Sequence, residues 1–191
     1  MAYCTASDVK SYLGITGSGD DTLLGVLCTR AQALVDEHTG RTFEASSNTD
    51  RKFDAVRDVD GQILYLDADL ASINSVTNGD ATVVTSAQYV TEPRTATPYY
   101  ALRILASANI AWTYTTDPEN AITVNGKWAY STAAPADIVH ATVRWAAYLY
   151  RQKDAQVFDT TASPEFGVIT VPQGIPADVQ KALDPYKRIV P

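Results

Sequence analysis

Five aspartates, Asp54, Asp58, Asp60, Asp67 and Asp69, form the densest group of like chemistry in the chain. Carboxylates at such short spacing suit a hard cation, which takes several oxygen ligands at once. Asp58-Val59-Asp60-Gly61 resembles a fragment of a calcium loop, but it lacks the third acid and the late Glu of an EF-hand. The plainer reading is a solvated turn ahead of a strand that starts at Gln62. If the cluster is functional, the middle of the chain is a carbohydrate- or calcium-binding β-module.

The rest of the chain offers little chemistry. Its two histidines, His38 and His140, have no nucleophile or metal ligand near them in sequence. His38 falls in the last turn of a predicted helix, where positive charge is favoured by the helix dipole. His140 falls on the polar stripe of another. The two cysteines, Cys4 and Cys28, are too few for a disulfide framework and lack CxxC spacing, so they read as reduced, partly buried thiols. There is no GxSxG, no HExxH, no P-loop and no GxGxxG after a strand. Gly17-Ser18-Gly19 has the look of an anion-binding loop at a helix start, but Asp20 and Asp21 follow it with no Lys at hand. The expectation is a protein without catalytic residues, metal or cofactor.

Charge narrows the partners. Against 22 acidic residues stand 15 basic ones, thinly spread, for a net charge of −7. A sequence-independent nucleic-acid binder collects Lys and Arg to neutralise phosphates, and none are collected here. The 46% hydrophobic and 19% charged composition of the 191 residues suits one medium domain, or a domain with a large insertion. No apolar run approaches the roughly 20 residues of a membrane helix. The opening MAYCTASDVK lacks the basic and apolar regions of a secretory signal, so synthesis in a cytoplasm is expected.

The elements that would position these residues fall into three stretches. In residues 1–42, Thr5 and Asp8 make a capping box for a helix that carries Val9, Tyr12 and Leu13 and stops at Gly14. Asp20 or Asp21 caps a second helix, with Leu23, Leu24, Leu27, Ala31, Leu34 and Val35 at helical spacing and Gly40 as its stop. In residues 43–132 β-branched and aromatic residues alternate with turn residues. Strands are expected at 62–66, 72–77, 81–85, 88–91, 99–105, 109–114 and 121–130. Asn78-Gly79-Asp80 reads as a tight turn, and Asn125-Gly126 as either a hairpin turn or a bulge inside one long strand. In residues 133–191, Pro135-Ala136-Asp137 opens a helix that is apolar around most of its girth through Ile138, Val139, Trp145, Tyr148, Leu149 and Tyr150. Such a helix must be covered on more than one side, as a core helix, a subunit-interface helix, or both. Asp154 to Gly174 reads as a loop or extended arm. A short helix follows Pro176, and a basic tail of Lys187 and Arg188 follows that. The fold class is α+β: an antiparallel-type bundle of about four helices at the chain ends, with a β-rich insertion, a small sheet or barrel, in the middle.

Several segments together resemble the head–tail connector (adaptor, or head-completion) proteins of long-tailed bacteriophages. Tyr3 to Lys10, Asp20-Asp21-Thr22-Leu23-Leu24 and Thr39-Gly40-Arg41-Thr42-Phe43 are similar to that family's N-terminal helix pair. Ile73-Asn74-Ser75-Val76 before Asn78-Gly79, Tyr89-Val90 before Glu92-Pro93-Arg94, and Tyr99 to Ile104 are similar to members with a β insertion. The most specific stretch is Ile122-Thr123-Val124-Asn125-Gly126-Lys127-Trp128-Ala129-Tyr130, leading to Pro135, Ile138, Ala141, Leu149-Tyr150-Arg151 and Asp154. It resembles the family's V-x-G-x-W-G-Y signature, with Ala129 in place of the usual glycine. Asp184-Pro185-Tyr186-Lys187-Arg188 resembles its closing L-x-P-Y-R-R.

The resemblance implies a structural virion protein of the neck, at the capsid–tail junction, assembled in the host cytoplasm. It implies a ring, expected to hold twelve copies, beneath the portal protein, extending the DNA channel and presenting a platform to a stopper or tail-completion protein. DNA would pass without sequence-specific binding, and no membrane is involved. Trp145, Tyr148, Leu149, Trp128 and Tyr130 are the candidates for the oligomer or core interface. Tyr186, Lys187 and Arg188 are the candidates for docking on the portal.

Overall fold

The computed structural model describes residues 3–155, 160–163, 167–170 and 174–188. Local signals set the helix ends. Helix α1 (Ala6–Leu13) begins at Thr5, whose backbone N–H donates to Asp8 Oδ2 at 2.8 Å while the Asp8 N–H donates back to the Thr5 hydroxyl at 3.3 Å. It ends on Gly14 at φ 72°, a left-handed conformation in which a Cβ is strained. Helix α2 (Asp21–Thr39) ends on Gly40 in the same way. Its N-cap, Asp20, gives no side-chain hydrogen bond to the helix and turns its carboxylate elsewhere. Helix α3 (Ala136–Ala155) follows Pro135, and α4 (Ala177–Leu183) follows Pro176 and runs into a 3-10 turn over Asp184–Tyr186.

Among the described residues nine strands join these helices in an α+β arrangement: β1 (Thr49–Phe53), β2 (Val59–Asp60), β3 (Ile63–Leu70), β4 (Ser72–Thr77), β5 (Tyr89–Glu92), β6 (Tyr99–Ile104), β7 (Ile122–Lys127), β8 (Thr160–Ser163) and β9 (Gly167–Thr170). One antiparallel sheet has the order β1-β7-β4 and another the order β2-β3-β6-β5, while β8 and β9 pair as an antiparallel hairpin. The segment 154–174, expected to be a loop or arm, thus contains this hairpin; residues 156–159, 164–166 and 171–173 of it lie outside the described residues. Asn125-Gly126 lies inside β7, so the hairpin-turn reading does not hold; the extra residue is Asn74 of β4, between Ile73 and Ser75, so the irregularity is on the partner strand and not at Gly126.

Two expected strands are not strands. Residues 81–85 meet β4 at one isolated bridge, Val83 to Thr77, and residues 109–114 meet Gly79 at one, through Tyr114. Both run as irregular segments held by isolated backbone hydrogen bonds, such as Val84 N–H to the Val76 carbonyl and Gly79 N–H to the Thr113 carbonyl, because their β-prone composition finds no continuous ladder partner. Besides the β8–β9 hairpin, two strands of the middle stretch were missed, β1 and β2. Their residues, Thr49 to Phe53 and Val59-Asp60, are polar apart from one apolar residue each, and only their pairing with β7 and β3 makes them strands.

The chain divides into two compact units, one over Thr42–Ala134 and the other over Ala2–Arg41 with Pro135–Pro191. In the first, Phe53, Leu64, Leu70, Leu102, Ile104, Ile122 and Val124 form a buried core. Its two tryptophans satisfy their ring N–H groups on backbone carbonyls, Trp112 on Gln62 at 3.0 Å and Trp128 on Thr49 at 2.9 Å. In the second, α3 packs against α1, α2 and α4. The apolar girth of α3 is met there by buried Ile138, Ala141, Trp145, Ala146 and Ala147, opposite Val9, Leu24, Ala31, Val35, Val179 and Leu183 on the other helices. The buried threonines Thr39 and Thr142 donate their hydroxyls to the carbonyls one turn earlier, those of Val35 and Ile138. No helix among the described residues is long and apolar enough to cross a membrane.

Candidate functional site

The acidic cluster is divided among structural roles. Asp54 Oδ1 accepts the Asn120 N–H at 2.8 Å, and Asp58 Oδ2 accepts the Asp54 N–H at 2.8 Å, which fixes the turn between β1 and β2. Asp67, on β3, pairs with Arg51 of β1 at 2.9 Å. Asp60 ends β2 and is followed by Gly61 at φ 58°, the residue that lets the chain reverse into β3. Among the described residues no three His, Cys, Asp or Glu side chains are grouped to hold a metal ion. The carboxylates of this stretch therefore do not converge on one point in the way cation coordination requires.

The histidines also have structural neighbours. His38 Nε2 lies 3.2 Å from Asp184 Oδ1, and the His140 ring stands edge-on to Tyr12 with centroids 6.2 Å apart. Asp184 is held below the usual carboxylate range, first by Lys187 at 2.9 Å and then by His38.

The residues offered for docking on a portal sit on the end of α2. The Arg41 Nε–H donates to the Tyr186 carbonyl at 2.7 Å, and the Arg188 backbone N–H donates to the Thr39 carbonyl at 2.8 Å. The second bond supplies a donor to one of the carbonyls that a helix C-terminus leaves open. Tyr186 and Arg188 are half-buried and Lys187 is exposed, paired to Asp184. Residues 189–191 lie outside the described residues.

The interface candidates fall in two places. Trp145 is 5% exposed and belongs to the core of the helical unit, while Tyr148 and Leu149 are half-buried beside it. Leu34, Trp145, Leu149 and Ile175 line a groove of about 430 Å³ with Glu37, His38 and Gln152 at its rim. Trp128 is 7% exposed, tilted against Phe53 at 5.8 Å with the Arg51 guanidinium 4.9 Å over its ring, and Tyr130 packs on Phe43 at 5.5 Å. These two therefore act within the β unit.

Sequence reasoning missed three constellations. Asn78, 3% exposed, is a hub: its Oδ1 accepts the N–H groups of Gly79 and Thr113 (3.0 and 3.1 Å) and its Nδ2 donates to the Ala111 carbonyl at 2.9 Å. Asn-Gly was read only as a turn, and nothing local marks the segment it tethers. Asp20 accepts the Tyr150 hydroxyl at 2.5 Å and pairs with Lys153 at 3.3 Å, which holds its carboxyl below the usual range and ties the start of α2 to α3. The third is Cys4 and Cys28, both buried, whose thiols lie close enough to shift each other's titration, Cys4 upward and Cys28 downward.

Fold and placements together define an α+β chain whose acids and histidines serve caps, ion pairs and backbone amides. No protein-family model and no curated protein matches the chain. Its fold is similar to that of a chain in the neck of an empty gene transfer agent (GTA) particle computed with C6 symmetry. The TM-score is 0.58 at 13% identity, over 98% of this chain and 91% of that one. It is likewise similar to a chain in the virion of a native gene transfer agent particle, with a TM-score of 0.59 at 16% identity over the same shares. At these identities the likeness is one of fold.

Proposed function

We propose that this chain is a structural, non-catalytic subunit of a phage-type neck: a head–tail connector that forms a ring beneath the portal, extends the DNA channel and offers a platform to the next neck or tail protein. The observation that carries this reading is the extent of the fold likeness. It runs over 98% of this chain and 91% of a chain from a GTA neck, so the two share a whole architecture rather than one common piece. The connector-like motifs, which occur in order from Tyr3 to Arg188, support the same reading from the sequence side.

In this reading the helical unit is the ring-forming body, and the β unit is an insertion that enlarges each subunit's contacts. Head-to-tail contacts close into a ring when the rotation per subunit divides the circle. The C6 symmetry of the neck that the fold resembles is compatible with six or twelve positions, and twelve is the number proposed here. Half-buried Tyr148 and Leu149, at the α2–α3 groove, are the residues of α3 placed to meet a neighbour. Exposed Lys187, with Tyr186 and Arg188 held beside it, is placed to meet an acidic portal surface. A net charge of −7 suits a channel that must let DNA slide, because phosphates find little cation density to release their counterions against.

The test is co-assembly. The purified chain is mixed with purified portal rings of the same phage and weighed by native mass spectrometry and analytical ultracentrifugation. The expected product is the portal ring plus a whole number of copies that fills a closed ring. A portal mass that does not change at a large excess of this chain contradicts the proposal.

A further inference from the structure

We propose that Cys4 and Cys28 are a redox site, closed into an intramolecular disulfide by a disulfide oxidant such as glutathione disulfide, which staples the opening residues of the chain to α2. They are the two cysteines of the sequence, so no other thiol competes within the chain. Each is 3% exposed, in the same part of the helical unit.

The register of the neighbouring residues brings them together independently. Cys28, Gln32 and Asp36 recur every four residues and so share one stripe of α2. The Tyr3 N–H donates to Gln32 Oε1 at 3.3 Å and the Tyr3 hydroxyl donates to Asp36 Oδ1 at 2.7 Å. The opening residues thus run against the direction of α2, with Tyr3 over Gln32 and Asp36 and Cys4 over Cys28. Thr5, next in line, is fixed as the N-cap of α1. Cys4 is thus held on both sides, between Tyr3 on α2 and the cap of α1, one helical turn from Gln32 on the side of Cys28.

Their mutual influence also favours the chemistry. Cys4 lowers the pKa of Cys28, while Cys28 and burial raise that of Cys4. A thiolate is the attacking species in disulfide exchange. One protein thiolate attacks a sulfur of glutathione disulfide, forming a mixed disulfide and releasing one glutathione thiolate. The second protein thiolate attacks the protein sulfur of that mixed disulfide, forming the Cys4–Cys28 bond and releasing the second glutathione. Two electrons pass from the protein thiols to the oxidant, and the two thiol protons end on the two glutathiones. Because both sulfurs are buried, the first attack requires the segment before α1 to open. The site stays reduced in a reducing compartment and closes in an oxidising one. Closure restricts the unfolded chain across the whole of α1 and the start of α2.

The test uses the full chain, oxidised with glutathione disulfide in two ways: in the native state, and during refolding from denaturant in a glutathione redox buffer, where burial is no barrier. After acid quench and alkylation, intact mass and peptide mapping should show the loss of two hydrogens, a Cys4–Cys28 link and no retained glutathione. Tm should rise by on the order of 5–10 °C and return on reduction. Cys4→Ser and Cys28→Ser should each abolish both the link and the Tm shift. Two fully alkylated thiols after refolding in the oxidising buffer, a stable glutathione adduct in the unsubstituted chain, or a link between chains instead of within one would overturn the proposal.

Discussion

Replacing Gly126 by alanine tests the β unit at its tightest point. A Cβ at this position would stand 2.2 Å from the Ser72 carbonyl oxygen and 2.8 Å from Leu70 Cδ1. The leucine tip can turn aside, but the carbonyl belongs to β4, which pairs with β7 at this register. To restore ordinary contact the two strands must part by about 1 Å. A hydrogen bond such as the one from the Ala71 N–H to the Lys127 carbonyl, 2.8 Å long, does not survive that stretch. Overpacking costs of about 1–3 kcal/mol are typical of such sites, and each ladder bond lost adds about 1 kcal/mol. At about 2–4 °C per kcal/mol for a chain of this length, Tm should fall by roughly 4–16 °C in differential scanning calorimetry. Gly25→Ala is the matched control. Gly25 lies inside α2, with nothing within 4 Å of the added Cβ. The same chemical change should there stabilise the chain by about 0.5–1 kcal/mol, because alanine is the better helix former. The reasoning is refuted if Gly126→Ala leaves Tm unchanged, or if the two substitutions shift it in the same direction.

Three further outcomes follow from particular contacts. Asn78→Ala should lower stability by about 1–2 kcal/mol, since it removes the part-buried bonds from the Thr113 N–H and to the Ala111 carbonyl; urea unfolding at constant m-value measures it. Burial raises the Asp36 pKa, against a smaller opposing effect of the Tyr3 hydroxyl, so the folded state carries a cost for ionised Asp36 at neutral pH and none where both states are protonated. Asp36→Asn, which keeps an acceptor for Tyr3, should therefore be more stable than the unsubstituted chain at pH 7 and equal to it well below the unfolded carboxyl value of about 3.9, as read by Tm across pH. Asp20 has the opposite sign: its folded pKa is depressed by Tyr150 and Lys153, so its stabilisation is present above the unfolded value and lost as pH falls through the folded one. Tyr150→Phe should lower Tm at neutral pH and make the loss in acid shallower.

What could be read from the sequence was whatever is decided within a few residues. Thr5 and Asp8, Gly14, Gly40 and Pro135 mark helix ends locally: α1 begins and ends, α2 ends and α3 begins where those residues say, while α3 runs on to Ala155, past the start of the expected arm at Asp154. Strand β4 was legible for the same reason, while β1, mostly polar, exists because β7 pairs with it from far along the chain. Residues 81–85 and 109–114 show the reverse error, with strand-like composition and no ladder. The aspartates of 54–69 looked like a site because sequence spacing says nothing of direction; in three dimensions Asp54 and Asp58 turn to backbone amides and Asp67 to an arginine. Cys4 and Cys28 were illegible as a pair, since only the antiparallel run of the opening residues along α2 brings them into register.

The connector reading meets its most direct test in cryo-electron microscopy of virions that contain this chain. The expected map shows the chain as a closed ring of six or twelve copies directly beneath the portal, coaxial with the DNA channel, with α3 at the contact between neighbours. A neck whose ring under the portal is built by a different polypeptide, with this chain found in the capsid shell, in the tail or nowhere in the particle, would contradict it.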